Sequence, residues 1–142
     1  MIEFYIDSDA LINFSNFKKA LFWVCFLALN ALALSPAPYL PPGLFDWWDK
    51  AQHAIGFGTL TVLAVLAYPG VSKFRIGFLL LALGVLIEVL QYFSGYRYGD
   101  WQDAVADGVG VLVGLGSAVL LMRFDGLVQL LDLKPPKETD EH

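Results

Sequence analysis

Four ionisable residues, His53, Glu88, Asp103 and Asp107, intrude on stretches of the chain that are otherwise long and apolar. Placing such a charge at the centre of a membrane helix costs about 2.5–3.5 kcal/mol, so each one calls for a partner or a task. The residue types suggest what the task would be. An imidazole near neutral pH serves as a general base, and a carboxylate beside it fixes its tautomer. Lys50 and Arg97, which flank the same stretches, would steady negative charge on a phosphate or carboxylate. No Ser or Cys nucleophile neighbours His53, and the second histidine, His142, ends a polar tail. His53 with Asp49, Glu88, Asp103 and Asp107 forms an oxygen-rich set suited to Mg or Mn, whereas Zn normally draws more than one His or Cys. From sequence alone the expectation is therefore no metal and no cofactor.

Those residues must be positioned by four apolar stretches, roughly residues 20–34, 51–68, 74–93 and 104–122. Glu88 is the only charge between Ile76 and Tyr96, and Asp107 the only one between Ala104 and Met122. Runs of about 18 or more such residues are the signature of spanning helices. The chain is 57% hydrophobic and 16% charged, against roughly 25% charged for soluble domains. The expected fold class is all-α, a polytopic bundle of four transmembrane helices. Residues 1–17 form an N-terminal segment with room for a short interfacial helix, 18–122 the membrane domain and 123–142 a cytoplasmic tail. The first stretch superficially imitates a secretory signal, but Glu3, Asp7 and Asp9 precede its lysines and Pro36 follows it, so it is expected to stay in the mature protein. A net charge of -5 with no basic patch argues against nucleic acid. The lone Cys25 cannot form an internal disulfide.

Basic residues set the expected orientation. Lys18, Lys19, Lys73, Arg75, Arg123, Lys134 and Lys137 fall on one side, Lys50 and Arg97 on the other, which places both termini in the cytoplasm. Helical spacing then groups the polar residues. Asp49, His53 and Gly56 recur on one face of the second stretch, and Gly77, Gly84, Glu88, Gln91 and Gly95 on one face of the third. Asp103, Asp107, Gly110, Gly114 and Ser117 do so on the fourth. Small residues mark the sides on which membrane helices touch, Gly110 and Gly114 forming a GxxxG pair. Gly56, Gly84, Gly110 and Gly114 are accordingly expected at helix contacts. The acids should face the bundle, all near its outer end. Taken singly, Asp49 and Asp103 also fit helix N-termini, and Gln91 and Asn30 fit interhelical hydrogen bonds.

The order Asp49-Lys50, His53, Ile87-Glu88, Gln91, Arg97, Asp103, Asp107, Gly110, Gly114 resembles the motif series of the VanZ-like family of bacterial membrane proteins, named for a teicoplanin-resistance protein. The resemblance covers about residues 20–122. Many members carry Asn where this chain has Asp107. It implies a multi-pass protein of the bacterial cytoplasmic membrane, linked to the cell envelope and to reduced sensitivity to glycopeptide antibiotics. It supplies no reaction. Three readings of the site remain open. In the first, Asp49, Lys50, His53, Glu88, Gln91, Arg97, Asp100, Asp103 and Asp107 bind an envelope component or a cationic amphiphile, the excess of acids suiting positive charge and Arg97 with Lys50 suited to hold an anionic lipid or cell-wall headgroup whose polar part His53 and the acids orient. In the second, an enzyme acts on a lipid-linked or cell-wall precursor, with His53 as general base and Glu88 and Asp103 as further catalytic candidates. In the third, a proton-coupled permease titrates Glu88 and His53. Partners expected on these readings are membrane lipid, a lipid-linked cell-wall precursor or a glycopeptide, and the glycine seams permit a homo-oligomer.

Overall fold

The computed structural model describes residues 8–35, 49–95 and 100–132, with side chains for 13–35, 50–95 and 100–124. Four helices make up nearly all of this: α1 (Ser8–Leu34), α2 (Asp49–Ala67), α3 (Lys73–Ser94) and α4 (Trp101–Asp132). No strand occurs among the described residues, so the all-α class holds.

Helix boundaries follow local chemistry. Between Ser8 and Leu34 there is neither Gly nor Pro to interrupt the ladder. The N-terminal residues from Ser8 onward therefore run straight into the first apolar stretch, and the separate short helix expected before Lys18 is absent from the described residues. Ser72 caps α3, its Oγ accepting from the Arg75 amide at 3.3 Å. Gly95 ends α3 in the left-handed region at φ 69°, which a residue without Cβ adopts at little cost. It terminates the helix. Asp100 starts α4: its Oδ1 accepts from the Gln102 amide at 2.9 Å, and its carbonyl accepts from the Asp103 amide at 2.9 Å. Helix α4 continues to Asp132, so the backbone of residues 123–132, expected in the tail, is helical.

Segments Asn13–Leu34, Lys73–Ser94 and Trp101–Phe124 are long and apolar enough to cross a membrane. At 1.5 Å per residue they extend ~33–36 Å, enough for a hydrocarbon core of about 30 Å. Helix α2 differs. Its first five residues include Asp49, Lys50, Gln52 and His53, and the apolar remainder, residues 54–67, rises only ~21 Å.

Packing explains how α2 is accommodated. It touches all three other helices, and Phe57, Leu60, Thr61, Ala64, Val65 and Ala67 on it are buried. Only Ile55 on α2 is a large exposed apolar side chain, whereas α1, α3 and α4 each expose several, among them Phe17, Leu27, Phe78, Leu86, Leu112 and Leu120. Helices apolar on both faces, with apolar side chains turned outward, are what a lipid surround selects.

Two contacts pin opposite ends of the bundle. At one, Trp23 Nε1 donates to the Tyr68 hydroxyl at 2.9 Å, and Phe22 meets the Tyr68 ring edge-on. At the other, Gln91 Nε2 of α3 donates to the Ala33 carbonyl in the last turn of α1 at 2.8 Å, satisfying one of the carbonyls that a helix C-terminus leaves open.

Candidate functional site at one end of the bundle

The α2–α4 seam sets the site. A Cβ added to Gly110 would collide with the Ala54 carbonyl, and one on Gly114 would lie 2.5 Å from the Gly58 carbonyl and 2.7 Å from Thr61 Cβ. The two backbones are thus in contact, which only small residues permit. Because His53 adjoins Ala54 and Asp107 lies one turn before Gly110, the close approach brings these two side chains together. His53 Nδ1 and Asp107 Oδ1 are 2.9 Å apart, and Asp107 is 1% exposed.

Helix α3 adds the third member. Glu88, 8% exposed, accepts from the Asp100 amide through Oε2 at 2.8 Å. Its Oε1 is buried without a hydrogen-bond partner, as is Asp107 Oδ2. Gly84, one turn before Glu88, gives Asp107 its room: a Cβ there would stand 2.6 Å from Asp107 Oδ2. Donor atoms of His53, Glu88 and Asp107 lie within 4.8 Å of one another.

A charged rim surrounds this triad. Lys50 Nζ bridges Asp100 Oδ2 at 2.8 Å and Asp103 Oδ1 at 3.1 Å, joining α2 to the start of α4. Lys50 and Asp100 are partly open to solvent and Asp103 is buried. The Lys50 ammonium beside Asp100, helped by the Gln102 amide, holds the Asp100 carboxyl below its ordinary value. Among the described residues the acids Glu88, Asp100, Asp103 and Asp107 face one lysine and one histidine, so the acid excess read from the sequence persists.

On the outward flank of α3 and α4 an apolar groove of about 280 Å³ is lined by Val85, Val89, Tyr92, Phe93, Trp101 and Ala104. Glu88 is its one charged lining residue. Of the triad, only Glu88 lines the groove.

Of the expected site residues, Lys50, His53, Glu88, Asp100, Asp103 and Asp107 are brought together. Gln91 instead ties α3 to α1, and Asn30 bonds back to the Phe26 carbonyl of its own helix at 2.7 Å. Gly56 faces α1, where a Cβ would meet Leu29 Cδ1 at 3.0 Å. Arg97 and the Asp49 side chain lie outside the described residues. The sequence reading passed over Ala54, Gly58 and Thr61, the α2 half of the seam, although Ala54-x-x-x-Gly58 is itself a small-xxx-small pair. It also passed over the groove, whose lining residues look like ordinary lipid-facing positions.

A family model described as VanZ/LLP1 matches residues 4–122, most of the chain and all of the site. The protein belongs to the VanZ/LLP1 family. Neither the curated proteins nor the solved structures contain a match to it. Membership accords with the apolar helices: this is a VanZ-like protein with a membrane-compatible helical bundle.

Proposed function

We propose that this VanZ-like protein lies in the bacterial cytoplasmic membrane, α2 crossing with the other helices, both termini cytoplasmic and the triad end at the outer leaflet. There it binds an envelope amphiphile, taking the tail in the α3–α4 groove and the polar head at Glu88. The observation that carries this reading is the groove itself: an apolar depression on the outward flank with Glu88 as its one charged lining residue, a residue that also keeps a buried oxygen without a hydrogen-bond partner. A head that offers positive charge or hydrogen-bond donors suits that oxygen and the surrounding acids, and the seven-to-two asymmetry of basic residues supports the orientation. Reduced sensitivity to glycopeptides such as teicoplanin would follow from engagement of an envelope component.

The reading is tested by titrating a fluorescent alkylammonium amphiphile into the protein in nanodiscs, beside an alkyl sulfate of equal chain length. Preference for the ammonium probe, weakening as salt rises and at least tenfold weaker in Glu88→Gln and in Val89→Trp, is the expected result. Equal affinity in all three proteins would sink the reading. In cells, Glu88→Gln and His53→Ala should abolish the envelope phenotype with insertion and abundance near normal.

A second reading rests on the His53–Asp107 pair, in which a carboxylate is placed to orient an imidazole as general base. Conversion of a lipid-linked precursor by purified protein, lost in His53→Ala while precursor affinity persists, would establish an enzyme in place of a binder.

A further inference from the structure

We propose that His53, Glu88 and Asp107 form a binding site for one divalent first-row transition ion, of the Mn²⁺ kind. The inference goes beyond the amphiphile reading and does not rest on it.

Three observations converge. One donor atom from each residue lies within 4.8 Å of the other two. Ligands on a common ion at about 2.0–2.2 Å stand roughly 3 Å apart when adjacent and about 4.2 Å when opposite, so the triad reaches that arrangement by side-chain adjustments of about 1 Å. Glu88 and Asp107 are each more than nine-tenths buried. Each retains a buried oxygen without a hydrogen-bond partner. The two carboxylates come from different helices and converge on one imidazole. A single dication would neutralise both at once.

The lysine described at this end does not do this. Lys50 is engaged with Asp100 and Asp103 at the rim. The headgroup of a groove-bound amphiphile would approach Glu88 from the lipid side, whereas Asp107, 1% exposed, lies deeper against Gly84. A small ion reaches both. One imidazole with two carboxylates favours Mn²⁺ over Ca²⁺, which prefers all-oxygen cages of six to eight ligands. Three protein ligands also leave coordination positions open to water or to an incoming oxygen.

The test uses full-length protein in nanodiscs, stripped with chelator and titrated with Mn²⁺ alone while the electron paramagnetic resonance signal of free Mn²⁺ is followed. Zn²⁺ is then added as competitor. One Mn²⁺ per chain is expected, displaced by Zn²⁺, with affinity at least tenfold weaker in Glu88→Gln, Asp107→Asn and His53→Ala and unchanged in Arg75→Gln at the opposite end of the bundle. Bound Mn²⁺ in the unsubstituted protein should also show hyperfine coupling to an imidazole nitrogen, a readout that no unfolded variant can confuse. Absence of saturable binding near one equivalent, absence of that coupling, or full binding in Glu88→Gln and Asp107→Asn would each overturn the site. Mn²⁺ binding without amphiphile binding would leave the ion site standing and remove only the amphiphile reading.

Discussion

Asp107 is held through its Oδ1 to His53 Nδ1 on one side and packed against Gly84 on the other, so its substitutions separate shape from charge. Asn preserves the outline and an oxygen for the imidazole, and Leu preserves neither. Losing a partner from a buried polar group costs about 1–3 kcal/mol. Asp107→Leu should therefore lower stability by roughly that amount, and Asp107→Asn by about half of it or less, measured by thermal unfolding in detergent. Asp100 gives a pH-dependent counterpart. Its carboxyl titrates below the ordinary value of 3.8 because of Lys50. A carboxyl depressed on folding stabilises the fold above its unfolded value, and that contribution disappears as pH falls through the folded one. The stability difference between the unsubstituted protein and Asp100→Asn should accordingly be constant from pH 5 to 7 and vanish in stronger acid. A difference that grows on acidification would contradict the Lys50 pairing.

At the scale of elements, the α2–α4 seam decides whether the triad exists. Gly114 has no space for a side chain, whereas a Cβ on Gly116 meets nothing within 4 Å. Overpacking a tight contact costs about 1–3 kcal/mol. Gly114→Val should destabilise by this order and separate His53 from Asp107, whereas Gly116→Ala should leave stability unchanged or raise it by up to about 1 kcal/mol in the same unfolding assay. Here the sequence was informative to an uneven degree. Charges isolated in apolar runs betrayed Glu88 and Asp107, and the GxxxG spacing betrayed half the seam, because both signals lie within one helix. Which face of α2 met which neighbour could not be read so easily. His53 and Gly56 lie close together around the helix, yet one turns to α4 and the other to α1, a choice fixed by the packing of three partners. Helix ends were legible where Pro or Gly punctuates and illegible where neither does, as at the start of α1, whereas α4 runs through Gly126 and ends only shortly before Pro135 and Pro136.

For the whole molecule, the outward apolar belt on α1, α3 and α4 and the enclosed position of α2 describe a bundle whose short apolar helix is shielded by three longer ones. The proposed crossing of all four places the α2–α3 turn and the loop before α4 on opposite sides of the bilayer. Single-cysteine labelling with a membrane-impermeant reagent, in a Cys25→Ser background, tests this directly. Tyr98→Cys should label from outside and Lys73→Cys only after permeabilisation. The reverse pattern would invert the protein, and labelling of both positions from one side would mean that α3 does not cross.

Asp100 occupies an unusual post, because its amide donates to Glu88, its Oδ1 accepts from Gln102 and its Oδ2 holds Lys50. Through this one residue the start of α4 and the head of α2 are wired to the carboxylate proposed to engage the ligand. Occupancy of Glu88 thereby becomes legible at a distance: the Asp100 amide resonance and its hydrogen exchange act as a gauge, shifting when Glu88 is engaged and staying still when a ligand binds elsewhere.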